Sequence, residues 1–166
     1  MIILGIDPGL AIVGWGVISL ENNRFHTLAY GAIRTPAKTK TEDRLMKIYR
    51  DMGRIIDRYR PTQMAIEELF FNTNTTTGIA VAEARGVLLL RARQEGLTVY
   101  EYTPLQVKQA VVGYGRAEKN QVISMVTSIL QLPQPPKPDD TADALAIAIC
   151  HAHTGGSKLQ AFYNLK

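Results

Sequence analysis

A chain of 166 residues, 46% of them hydrophobic, is long enough to bury roughly 70% of its unfolded surface in one domain and too apolar to stay disordered. Its net charge of +4, from 19 Lys+Arg against 15 Asp+Glu, suits a polyanionic partner without requiring one. The only cysteine, Cys150, excludes an internal disulfide and a thiolate-rich metal site.

No apolar run is both long and uncharged enough to span a bilayer, and the N-terminus lacks the basic region and small-residue cleavage site of a signal peptide. The expectation is a soluble, cytoplasmic protein with no membrane partner. Segments near 2–7, 12–19 and 25–33 are rich in Ile, Val, Leu, Tyr and Trp and separated by turn residues such as Glu21-Asn22-Asn23, which predicts three strands in an antiparallel meander. The period then changes. Leu45, Ile48, Met52, Ile55, Ile56 and Tyr59 are spaced for a helix over 42–60, ended by Pro61.

A short strand over 63–66 leads into Glu67-Glu68, and a polar loop from Asn72 to Thr77 precedes a helix near 78–95. That helix is apolar on most sides, so the core or another subunit must cover it, and a subunit interface is expected. A strand over 97–102, a short helix Pro104–Val112, a helix Glu118–Leu132 and a proline-rich connector over 133–138 follow. The last helix runs over 139–153, leaving a loosely attached tail, 154–166, behind a single domain, 1–153. A meander followed by βαβ units predicts an α/β fold: a mixed five-stranded sheet flanked by helices.

The first strand stops at a carboxylate, Asp7, before Pro8-Gly9. Turn chemistry alone accounts for one Asp there; a catalytic role needs partners. Glu67 repeats the pattern, an acid at the carboxyl end of an apolar strand, where ligands gather in open α/β sheets. Glu68 would point to the opposite face. In Asp139-Asp140-Thr-Ala-Asp143, Asp140 and Asp143 share a helical face, Asp139 reads as a cap, and Asp143 opens a run so apolar that it needs a partner or a metal. Oxygen-only ligands suit Mg²⁺ or Mn²⁺. Two such ions ~4 Å apart activate water and stabilise the leaving oxygen of a displacement at phosphorus.

These acids stand in motifs. GIDPG at the N-terminus, AIEELFF over 65–71, QVKQAVVGYGRAEKNQV over 106–122 and DDTADALAIAICHAH over 139–153 together resemble the RuvC family of bacterial Holliday junction resolvases, from residue 1 to about 153. The resemblance implies a ribonuclease-H-like fold, a homodimer, and metal-dependent symmetric nicking of two strands of like polarity in four-way junction DNA, leaving 5′-phosphate and 3′-hydroxyl ends. It implies Asp7, Glu67, Asp140 and Asp143 as catalytic residues and metal ligands, with Mg²⁺ (or Mn²⁺) as two ions per site during catalysis. A branch-migration complex, RuvA and RuvB, is the further partner implied.

By the same resemblance Phe70 acts near the junction point, where stacking on an unpaired base contributes ~1–3 kcal/mol, and Lys108 and Lys119 lie near the DNA backbone. The glycines of Gly113-Tyr-Gly115 beside Lys119 favour close approach of a phosphate. Arg85 is expected to face DNA or the partner subunit. His151 and His153 read as helix-end residues suited to the dipole, and Cys150 as inert packing. Three rival functions remain in view. An actin-like phosphotransferase needs a second domain that 166 residues cannot supply, a ribonuclease-H-like enzyme acting on RNA is disfavoured by the last two motifs, and a non-catalytic junction-binding module is disfavoured by retention of all four acids.

Overall fold

The computed structural model describes residues 1–69 and 75–154. In chain order the elements are β1 (Ile2–Asp7), β2 (Ile12–Glu21), β3 (Arg24–Arg34), α1 (Thr41–Tyr59), β4 (Gln63–Glu67), α2 (Thr75–Gln94), β5 (Thr98–Tyr102), α3 (Pro104–Val112), α4 (Lys119–Ile129) and α5 (Asp139–Thr154). The mixed sheet is ordered β3-β2-β1-β4-β5. β1–β3 form the antiparallel meander, and β4 and β5 add in parallel on the other side of β1. Helix α2 begins three residues earlier than its pattern suggests, because the threonine-rich run forms its first turn. α4 is shorter at both ends. Glu118 caps it, Leu130 closes it, and Gln131 turns the chain away with φ of 51°. The tail beyond Thr154 lies outside the described residues.

Local chemistry explains the joints. Asn22 and Asn23 adopt φ of 50° and 60°, the left-handed pair that a tight β2–β3 hairpin requires and Asn tolerates. At the end of α1, Arg60 is also left-handed, and its N–H returns to the Ile56 carbonyl at 2.8 Å. Strand alternation then sorts two cores. Ile3, Ile18, Ala65 and Tyr102 face α3, α4 and α5, while Leu4, Ile6, Val17, Met64 and Ile66 face α1 and α2. With both faces covered, β1 is buried from Ile3 to Ile6, as a central strand with a nearly continuous apolar run should be.

The tightest packing is that of α5 on the meander. A Cβ at Gly5 would fall 2.1 Å from the Ala144 carbonyl oxygen, and one at Gly14 would fall 1.9 Å from that of Asp140. The helix presents Ala144 and Ala148 here, so its backbone rests almost directly on β1 and β2. Thr141 Oγ1 donates to the Gly31 carbonyl of β3 at 3.1 Å and ties the same turn to the third strand.

The two histidines near the end of α5 take different places. His151 is fully buried inside α5, with Nδ1 2.6 Å from the Tyr102 hydroxyl and Nε2 2.8 Å from Gln63 Oε1. The Tyr100 ring lies against it, with centroids 4.4 Å apart. Burial lowers its pKa to about 4, so it joins α5 to β4 and β5 as a neutral ring, and supplies no charge to the helix dipole. His153 packs edge-on against Phe25. Cys150 is fully buried, and burial pushes its thiol up to about 12, in keeping with inert packing.

Two outcomes are expected. Gly5→Ala forces α5 off the sheet and should destabilise the fold by about 1–3 kcal/mol, read as a lower urea midpoint; an unchanged midpoint would mean that α5 shifts freely. Because His151 has a lower pKa folded than unfolded, the unfolded chain takes the proton first as pH falls, so stability should drop progressively from about pH 6.5 to about pH 4. His151→Gln should remove that part of the pH dependence, measured by urea denaturation at several pH values.

Candidate active site

Three separate elements carry the four acids. The parallel register places Ile6 of β1 beside Ile66 of β4, so Asp7 and Glu67 stand at neighbouring carboxyl ends. The close seating of α5 brings its first turns to the same edge, with the Asp140 backbone against Gly14. All four carboxylates are partly buried. Asp7 is pushed up to about 8, first by burial and then by the charges of Asp143, Glu67 and Asp140, with Lys119 opposing. Burial and Asp143 raise Glu67 as well. Asp143 is raised by burial against the opposing hydrogen bond and charge of Lys119. These are like charges crowded at one site, where the neutral form of a carboxyl is favoured.

Lys119, the first residue of α4, sits among them. Its Nζ donates to Asp143 Oδ2 at 3.1 Å and lies 3.6 Å from Asp139 Oδ2. Burial alone would lower its pKa, but the Asp143 bond and the surrounding carboxylates outweigh this and raise it. The capping box between Glu118 and Gln121 holds the α4 start in place. Asp139 is exposed at the head of α5, where it shares Lys119. Beside this group a cavity of about 230 Å³ is lined by Glu67, Asp143, Lys108 and Lys119 over an apolar floor that includes Val107 and Ile147.

Arg85 is used within the chain. Its guanidinium pairs with Glu101 of β5 at 2.6 Å, and its Nε donates to the Glu67 carbonyl at 3.3 Å, with the side chain only 14% exposed. It thereby braces α2 against the strand ends that carry Glu67. Phe70 lies outside the described residues. Two contributors escaped the sequence reading: Glu101, the partner of Arg85, and Arg44, which lines a second cavity with Asp7 and Asp140. Neither carries a local signal, because each is one charged residue in an ordinary amphipathic segment.

The donors are all hard oxygens, the chemistry of Mg²⁺ or Mn²⁺ sites. Among the described residues no three His, Cys, Asp or Glu side chains form a closed ligand group. The acids are an open array with one member paired to Lys119, and a divalent cation would relieve their repulsion.

A meander continued by parallel strands on the far side of β1, with acids at the ends of β1 and β4 and on the helix closing over them, defines the ribonuclease-H-like class. The family model for crossover junction endodeoxyribonuclease RuvC matches residues 3–151. Crossover junction endodeoxyribonuclease RuvC of Alkaliphilus oremlandii is 61% identical over 155 residues, 93% of this chain and 94% of that protein. The namesake of Heliobacterium modesticaldum is 61% identical over 154 residues, 93% and 95%. Among solved structures, Thermus thermophilus RuvC superposes with a TM-score of 0.87 at 36% identity, covering 94% of this chain and 96% of that one. The same protein in complex with Holliday junction substrate gives 0.86 at 37%, covering 92% and 93%. The chain belongs to the RuvC family of crossover junction endodeoxyribonucleases.

The crowding has a measurable consequence. Asp7 has a higher pKa folded than unfolded, so the folded chain holds the extra proton between about pH 3.8 and about pH 8, and stability is lost as pH rises through that window. In divalent-free buffer at pH 8, Asp7→Asn should therefore melt above the wild type, by about 2–4 °C for each 1 kcal/mol of relieved burial cost and repulsion. The gap should close toward pH 4. A variant that melts lower at pH 8 would show that contacts of the carboxylate outweigh its burial cost and the repulsion.

Proposed function

We propose that the chain is a metal-dependent endonuclease that resolves four-way DNA junctions in recombination and repair. The observation that carries this reading is the coupled cluster of Asp7, Glu67, Asp140 and Asp143, gathered from β1, β4 and α5. It stands in a chain 37% identical to a RuvC determined with Holliday junction substrate. Those four residues would hold Mg²⁺, or Mn²⁺ in its place; bound as a pair during catalysis, the ions supply charge neutralisation and water activation at phosphorus.

The chain's own groups do the rest. Asp7 and Glu67 are set on paired strands, so the reaction centre is fixed relative to the sheet. Lys108 and Lys119 flank it on one side and hold the phosphates of the strand to be cut. Arg85 fixes the backbone of Glu67 through its carbonyl. Phe70 stacks on a base at the junction point. Hydrolysis breaks the bond from phosphorus to the 3′ oxygen and leaves 5′-phosphate and 3′-hydroxyl ends, with no covalent enzyme intermediate.

α2 is the subunit interface in this reading. It carries Ile79 and Leu90 at 58% and 56% exposure, large apolar side chains that a second copy would cover. A two-fold dimer presents two equivalent sites to a nearly two-fold junction, which suits paired nicks in strands of like polarity. A cytoplasmic location, a single catalytic domain over 1–153 and a branch-migration complex as partner belong to the same reading.

The test is cleavage of a labelled four-way junction with Mg²⁺, beside linear duplex and an RNA–DNA hybrid, with Asp7→Asn as control. Paired symmetric nicks on the junction alone, absent in a variant that still binds it, are expected. Cutting of the hybrid instead would keep the fold and replace the function. Tight binding without cutting, across varied junction sequences, would leave a binding module.

A further inference from the structure

A second cavity, of about 560 Å³, opens on the other flank of Asp7. Asp7 and Asp140 stand at it, the β1–β2 turn over residues 8–12 forms one wall, and Ala80 and Val81 of α2 contribute to another. Arg44, from the first turns of α1, is the cation that lines it. Its Nε donates to Thr35 Oγ1 at 2.8 Å, and Thr35 Oγ1 in turn donates to the Leu10 carbonyl at 2.5 Å. Thr35 is 8% exposed, and its N–H is held by the Ala11 carbonyl at 3.0 Å. The guanidinium is thus tied to the turn that follows Asp7 through neutral groups only. Among the described residues Arg44 enters no ion pair.

That sets Arg44 apart from Arg85 and Lys119, whereas Lys108 in the first cavity likewise enters no ion pair among the described residues. The charge of Arg85 is met by Glu101, and that of Lys119 by Asp143 and Asp139. Arg44 is pre-positioned without an anion, in a cavity whose remaining walls are mostly apolar turn and helix. A planar fork held by one nitrogen keeps its other donors for a planar or tetrahedral oxyanion. The carboxylates lie between two cavities, one with Lys108 and Lys119 and the other with Arg44.

We propose that Arg44, positioned by Thr35, clamps a backbone phosphate of the cleaved strand on the Asp7 side of the site, opposite the phosphates held by Lys108 and Lys119. The strand then crosses the sheet edge from one cavity to the other, with the scissile phosphate at the acids and a cation on each flank. This rests on the junction-nuclease reading. It adds the track of the strand and a contact that the family motifs do not include.

The test is junction binding as a function of salt in divalent-free buffer, for wild type, Arg44→Ala and Arg44→Lys, each first shown to be folded by thermal melt. Each phosphate contact contributes about 0.7–0.9 to the slope of log affinity against log salt. Between 50 and 200 mM salt the wild type should therefore lose about threefold more affinity than Arg44→Ala. Arg44→Lys, which keeps the charge without the planar fork, should keep the slope. Junctions carrying one uncharged methylphosphonate linkage near the cut then locate the contact. One position should weaken the wild type and leave Arg44→Ala unaffected. A wild type that binds and cuts junctions while Arg44→Ala matches it in slope and in every linkage overturns the clamp alone. A wild type that neither binds nor cuts overturns the proposed function together with the clamp.

Discussion

The contact on which the rest of the molecule depends is the seating of α5 on the backbones of β1 and β2. Gly5 and Gly14 leave no side chain in the way, and Ala144 and Ala148 present almost none from the helix. Any ordinary side chain at Gly5 or Gly14 would lift the helix and carry Asp140 and Asp143 away from Asp7. Packing of small residues, usually a device for stability, here sets the spacing of charges. The fold accepts the resulting repulsion because two hydrophobic cores, one on each face of the sheet, hold the strands whose ends bear the acids.

The positive residues around that edge serve different purposes. Arg85 is enclosed and stiffens the junction of α2, β4 and β5. Lys119 answers the acids directly from the start of α4. Arg44 is held by a hydroxyl and carries an unmatched charge. Formal charge alone does not separate these roles; the partner of each cation does. A guanidinium already matched to a carboxylate contributes little further attraction for a polyanion, whereas one fixed by neutral groups is organised before the ligand arrives.

Much of the architecture could be read from the amino-acid order, because it follows local periodicity. The strands alternate, α1 carries one clear apolar stripe, and prolines and asparagines mark the joints. The acids were readable for a related reason, since Asp7 and Glu67 repeat one local pattern that parallel pairing brings together. What stayed hidden depends on contacts between segments far apart in the chain. The role of His151 is not legible in the sequence, because nothing near it there announces Gln63 or Tyr102. Arg85 looked outward-facing because Glu101 lies sixteen residues later, on another strand. Arg44 is one of several arginines on a polar helix face, and only Thr35 and the adjoining turn distinguish it. The roles of Gly5 and Gly14 appear once α5 is in place, since a glycine in a strand does not say what approaches it.

β1 lies in the middle of the sheet, bonded to β2 on one side and β4 on the other, with helices over both faces. Its backbone amides have no local route to solvent, so their exchange with water requires opening of the whole fold. The strand that ends in Asp7 is therefore as durable as the molecule itself and has no softer mode in which to adjust. Whatever accommodation a branched, deformable substrate demands must be made by the peripheral connections, such as the Gly113–Glu118 segment between α3 and α4, while the centre keeps its shape.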